Sequence, residues 1–321
     1  MTTVRGGHDP AAIDEAAGLL RAGQLVAFPT ETVYGLGADA FNKDAVAGVF
    51  AAKGRPADNP LIVHVADVAA ARAVVGEFPP LAEVVAAALW PGSLTIVLPR
   101  GPRVPDIVTA GGDTVGVRVP AHPVALQLLK VFGGAIAAPS ANRSGRPSPT
   151  LASHVLADLA GRVAMILDGG PTEVGLESTV VDMTLDVPLV LRRGGVTLER
   201  LRALLGRVDC LEGQDASAVA RSPGLRHRHY APRARVVLVG EGEGEAAVRG
   251  LGGRVGLISR RAAEGELVRV LPGSAEGFAR GLFAALRELD LLGLDRIVVE
   301  GIDEAGLGAA IMDRLRRAAE G

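Results

Sequence analysis

The chain has 321 residues, 48% of them hydrophobic and 22% charged; these are ordinary globular values with room for two domains of about 100–200 residues, and they exclude disordered, collagen-like and fibrous classes. A formal net charge of −2 gives no global basic field to advertise a nucleic-acid partner. A single cysteine, Cys210, excludes a disulfide framework and a cysteine-rich zinc site; with no N-terminal h-region and no apolar run near the ~20 residues of a membrane span, a cytoplasmic protein with no membrane partner is expected.

The first 206 residues alternate short apolar strands with helical stretches, and a mixed α/β domain is expected there, of about seven strands and five helices. In chain order the pattern predicts a helix over 11–21, a strand over 25–28, a helix over 43–52, a strand over 61–65 and a long Ala-rich helical region ending at Trp90. Further strands are predicted over 94–98, 115–119, 135–138, 164–167, 178–182 and 189–191. From 207 to 235 the periodicity fades, and six Arg stand against three acids, which reads as a basic interdomain linker. Residues 236–321 read as a small accessory Rossmann-like α/β domain: strands over 236–239, 255–258 and 296–299, a helix over 275–292 and a last amphipathic helix through Arg317.

Several loops carry chemistry. The turn PTETVYGLGADA, residues 29–40, offers two threonines and a glutamate to something small and polar. Its Gly35, Gly37 and Ala40 match G-x-G-x-x-A, but six residues separate that run from the strand end, which argues against a dinucleotide fingerprint. In FAAKGRPADNPLIVHV, residues 50–65, Gly54 is a natural left-handed helix cap, so Lys53 and Arg55 project from a rigid elbow followed by Asn59. Only three of the 34 basic residues are lysines. The pair reads as a phosphate clamp or as cations settled at a helix C-terminus. His64 reads as a core histidine or a ligand contact. Arg118, in a strand between Val117 and Val119, asks for an anion partner. The loop AIAAPSANRSGRPSPT, residues 135–150, leaves small side chains and free N–H groups that a polyphosphate could approach; Ser178 and Arg192 follow at strand ends. Tyr230, in the linker, either covers a nucleotide or anchors the linker to the first domain. No pattern supports a covalent nucleophile, and His227-x-His229 lacks the ligands of a metal site.

PTETVYGLG, KGRPADNPL, TVGVRVP, SAN with its trailing SGRPSPT, and SPGLRHRHYAP stand in this order, and over residues 10–235 the chain resembles the threonylcarbamoyl-adenylate synthases, the YrdC-like family in its two-domain form. The ending GLGAAIMDRL is similar to the family's accessory domain. The resemblance implies that L-threonine, bicarbonate and ATP are joined into threonylcarbamoyl-AMP with release of pyrophosphate, and that tRNA-modifying transferase machinery downstream consumes the product, with any direct contact to tRNA weak. Threonine would be held by Thr32, His64, Arg118 and Ser178. ATP would be held by Lys53, Arg55, Asn59, Thr114, Ser140, Asn142, Ser148, Arg192 and Tyr230, with Lys53 and Arg55 acting on the phosphates and Mg²⁺ carried in on the nucleotide. From its own residues, a basic run with Tyr230 held before the stiff Ala231-Pro232, the linker over 207–235 is expected to fold back over the cleft as a lid. One departure is an EGEGE loop after the accessory domain's first strand. The rival class is a nonenzymatic RNA-binding module, which the ten aromatics of the chain disfavour because stacking platforms need more; a dehydrogenase built on Gly35, Gly37 and Ala40 is a weaker third reading.

Overall fold

The computed structural model describes residues 1–211 and 230–320; the basic run ahead of Tyr230, with His227 and His229, lies outside the described residues. The first unit is built on one mixed sheet. Its strands are β1 Thr3–Gly6, β2 Val26–Phe28, β3 Gly35–Asp39, β4 Ile62–His64, β5 Leu94–Pro99, β6 Thr114–Arg118, β7 Ile136–Ala137, β8 Met165–Asp168, β9 Thr179–Asp182, β10 Leu189–Arg192 and β11 Asp209–Cys210. Their spatial order is β1-β8-β2-β3-β7-β4-β6-β5-β9-β10-β11. Val26, Ala27 and Phe28 are wholly buried, as expected of a central strand covered on both faces.

Helices close over the sheet where caps and apolar spacing direct them. Helix α1, Pro10–Arg21, starts at Asp9, whose side chain accepts from the Ala11 amide, and buries Ile13, Ala16, Ala17 and Leu20. Helix α2, Lys43–Lys53, starts at Asn42 and ends at Gly54 with φ +61°, the left-handed cap expected from the sequence. Two registers matter for the site: β4 runs parallel to β6 with His64 opposite Arg118, and β9 runs antiparallel to β10 with a bulge between Val190 and Arg192.

Several elements differ from the pattern reading. GLGAD is a strand, β3, paired antiparallel with β2. A Cβ on Gly37 would lie 2.8 Å from both Ile136 and Phe28, so the glycine serves sheet packing, and the dinucleotide reading falls with it. The exposed strand β1 carries no apolar pattern and was invisible to periodicity. The Ala-rich region splits into Val68–Arg72 and Pro80–Leu89, because Pro79 and Pro80 forbid a continuous helix.

The second unit has four parallel strands, β12 Arg235–Val239, β13 Val255–Ser259, β14 Val268–Val270 and β15 Arg296–Glu300, ordered β12-β15-β13-β14. Part of the EGEGE segment opens a short helix, Gly244–Gly250. Helices Ala275–Leu291 and Gly308–Ala319 pack Phe278, Leu282, Phe283, Ile311 and Leu315 against the sheet, and the same apolar cluster takes in Val33, Leu176 and Tyr230. The two units therefore share a core. Gly175 sits at the junction with φ +79°, and a Cβ there would lie 2.4 Å from the Ala279 carbonyl. No helix among the described residues is long and apolar enough to cross a membrane.

Candidate active site

The turn after β2, the end of β4, the end of β6, the loop after β7, the entry to β9 and the end of β10 converge on one cleft. It is open to solvent, and the space between its walls, solvent included, is about 650 Å³. Of the residues expected to act, ten line it: Thr32, Arg55, His64, Arg118, Ser140, Asn142, Ser148, Ser178, Arg192 and Tyr230. Residues distant in sequence, and expected to hold two different molecules, thus face one space.

On one side stands Arg118, 3% exposed. Its Nη2 donates to Glu31 Oε1 at 2.6 Å, its Nη1 to Thr32 Oγ1 at 2.9 Å and its Nε to the Gly92 carbonyl at 3.1 Å. The anion partner that a strand arginine demands is thus supplied within the chain, by Glu31. Burial pushes the Glu31 carboxyl up, but Arg118 outweighs it and holds the group below its ordinary value. His64 is buried edge-on to the Phe28 ring, at 6.1 Å between centroids. Burial, reinforced by Arg118, lowers its pKa to about 3, so the imidazole is neutral at physiological pH. Its Nδ1 is buried with no hydrogen-bond partner. Ser178 Oγ lies 2.8 Å from Thr95 Oγ1 and accepts from Arg192 Nη2 at 3.2 Å.

Arg55 reaches the lining from the elbow that Gly54 makes. Its Nη2 donates to the carbonyls of Asn59 and Pro60, while its buried Nε has no partner. Burial lowers its pKa to about 10, which leaves it cationic. Ser140 Oγ donates to Asn142 Oδ1 at 2.6 Å, and Asn142 Nδ2 donates to the carbonyls of Arg143 and Arg146, both at 2.9 Å. Arg192 donates through Nε and Nη2 to the Ser178 carbonyl. Gly194 makes this crossing of strands tight, since a Cβ there would lie 2.3 Å from the Glu177 carbonyl. Tyr230 is stacked on Phe283 of the second unit at 5.5 Å, with planes 19° apart, so it anchors the chain to the second unit while one edge of it lines the cleft.

Three expected residues are not on the lining. Lys53 is 3% exposed, and its ammonium donates to the carbonyls of Ser140 and Asn142. Burial, and then Arg55, pulls its pKa well below the ordinary value. Of the two cations expected to clamp phosphate, Arg55 faces the cleft, and Lys53 stands behind it and secures the loop. Asn59 is buried at the elbow, 1% exposed, and offers its carbonyl to Arg55. Thr114 begins β6, paired with Pro99, at the end of the strand away from Arg118.

Sequence reasoning overlooked two groups and the partnership of a third. Glu177 lines the cleft, with Oε1 accepting from Ser148 Oγ at 2.5 Å; burial raises its pKa, but Arg314 and Arg192 more than reverse this. Arg146 also lines it, held by Asp158 at 2.7 Å. Glu31 stood in the quoted motif, but only the fold pairs it with Arg118. A lone Glu beside Ser178, and an Arg inside a Ser/Gly/Pro loop, were the signals available.

A family model covering Sua5, YciO and YrdC proteins, described as telomere recombination, matches residues 18–194, and a model described as threonylcarbamoyl-AMP synthase, C-terminal domain, matches residues 196–320. A threonylcarbamoyl-AMP synthase of Pyrococcus abyssi is 47% identical, covering 94% of this chain and 92% of its own length. One of Bacillus subtilis is 45% identical, covering 98% and 94%. A crystal structure of P. abyssi Sua5 complexed with L-threonine superposes with TM-score 0.92 at 44% identity, covering 100% of this chain and 97% of that one.

Proposed function

Because the chain belongs to the threonylcarbamoyl-AMP synthase family, we propose that it is a nucleotidyltransferase joining L-threonine, bicarbonate and ATP into threonylcarbamoyl-AMP with release of pyrophosphate. The observation that carries this reading is the shared cleft, in which Thr32, His64, Arg118 and Ser178 face the same space as Arg55, Ser140, Asn142, Ser148, Arg192 and Tyr230. A cytoplasmic setting, and a tRNA-modifying transferase that consumes the labile product, belong to the same reading.

The threonine amine attacks the carbon of bicarbonate and water leaves, giving a carbamate. A carbamate oxygen then attacks the α-phosphorus, the bond to the β-phosphate breaks, and pyrophosphate departs. The chain's part is positioning and electrostatics. Three described bonds occupy three of the five N–H groups of Arg118, which leaves two for a carboxylate; Glu31 fixes the guanidinium in place. Neutral His64 can take or give one hydrogen bond at Nδ1 without adding charge. Arg55, Arg146 and Arg192 supply fixed positive charge where negative charge spreads over phosphoryl oxygens. Roles for Asn59 and Thr114 toward the nucleotide rest on the resemblance alone. Mg²⁺ enters this reading as an ion carried by ATP, neutralising charge on its oxygens.

The test is pyrophosphate release by the full chain with ATP. The reading requires release that depends on both threonine and bicarbonate. Release that ignores either one would overturn it, and a steeply salt-dependent affinity for tRNA without any turnover would favour an RNA-binding module.

A further inference from the structure

The second unit touches the cleft's supports through one deeply buried side chain. Arg314, on helix Gly308–Ala319, is 1% exposed. Its Nε donates to Glu177 Oε2 at 2.9 Å, its Nη1 to Asp313 Oδ2 at 2.6 Å and its Nη2 to the Arg193 carbonyl at 2.8 Å. Its guanidinium carbon lies 5.3 Å from the centroid of the Tyr230 ring. Through Glu177, whose other oxygen accepts from Ser148 Oγ, the same arginine is one residue removed from the loop that carries Ser140 and Asn142. It therefore contacts the support of Ser148, the ring of Tyr230 and the backbone following Arg192.

Docking alone does not call for such a group. The junction already shares an apolar core, and a buried ion pair adds little stability over a well-packed apolar side chain because both charges must leave water. What an arginine fork adds is direction: its nitrogens hold a carboxylate, a carbonyl and a ring in one fixed relation.

We infer that Arg314 is a positioning residue for the reaction in the first unit's cleft, holding Glu177 toward Ser148 and Tyr230 against the cleft, so that the nucleotide side is complete only with the second unit docked. The inference rests on the assignment of Ser148 and Tyr230 to ATP made above.

The test compares Arg314→Met, Arg314→Lys, Glu177→Gln and the double variant Arg314→Met/Glu177→Gln in the full chain. Loss of a charge-assisted bond should raise KM for ATP at least ~tenfold, with KM for threonine changed by less than about twofold. The double variant should lose no more than the worse single one, since both cut the same link. Arg314→Lys should not rescue, because a point charge cannot hold the carboxylate and the carbonyl together. An active wild type whose Arg314→Met has unchanged constants, or the same loss for both substrates, overturns the inference alone. A wild type that releases no pyrophosphate overturns the functional reading and the inference with it. Should Arg314→Met not fold, Glu177→Gln decides: an ATP-specific loss supports the link, and none, or one on threonine, overturns it.

Discussion

Lys53 and Arg55 stand two residues apart and serve different ends. Arg55 faces the cleft with a buried Nε, so Arg55→Ala should raise KM for ATP at least ~tenfold, which steady-state kinetics checks. Lys53→Met instead leaves the carbonyls that Lys53 satisfies, those of Ser140 and Asn142, buried without a donor. It should cost about 1–3 kcal/mol of stability, measured by denaturant unfolding. That both residues sit on a stiff elbow was legible from Gly54 and Pro56. Which one turns inward was not, because the acceptors come from a loop almost ninety positions on. His64 gives a pH signature. The unfolded imidazole takes a proton near its ordinary value, while the folded one resists until about pH 3, so the unfolded state binds more protons in between and stability falls as pH drops through that window. In NMR titration the His64 ring signals should stay flat from pH 8 to about pH 5; an inflection near the ordinary ~6.5 would contradict its burial.

Between elements, the tightest joint is where β9 and β10 meet. Gly194 lies against the Glu177 carbonyl, the Ser178 carbonyl carbon and the Thr179 amide, so Gly194→Ala must push backbone against backbone. It should destabilise by at least ~1–3 kcal/mol and cut turnover, because Ser178 and Arg192 are carried on those strands. A wild-type melting temperature and rate would contradict the close approach. The same joint shows the reach of pattern reading. Strands with continuous buried apolar runs, such as β2 and β5, could be read directly, whereas β1 is exposed on every residue and β3 hides behind two glycines. Ser178 and Arg192 were visible as polar residues at strand ends, but their mutual bond depends on an antiparallel register with a bulge, which no local pattern encodes.

Across the whole molecule, the two units are tied by Arg287 to Asp158 at 2.8 Å and Arg314 to Glu177 at 2.9 Å, around a shared apolar core. Burial raises both carboxyls, but the arginines hold them below their ordinary values. The stability these pairs contribute is therefore fully present above the unfolded carboxyl values, roughly pH 4–4.5, and is lost as pH falls through the lowered folded values. Calorimetry at neutral pH should give one cooperative transition for the full chain; two separated transitions would contradict a shared core. That two units exist was legible from the fading periodicity after residue 206. Their partnership was not, because Arg287 and Arg314 read as ordinary charges on amphipathic helices until Asp158 and Glu177 are placed beside them. The central claim is that one cleft joins threonine, bicarbonate and the nucleotide. Its most direct test is mass spectrometry of the nucleotide product after reaction with isotopically labelled bicarbonate, threonine and ATP. The expected result is an adenylate carrying both the threonine and the bicarbonate label; a turnover that yields only unlabelled AMP and pyrophosphate would contradict it.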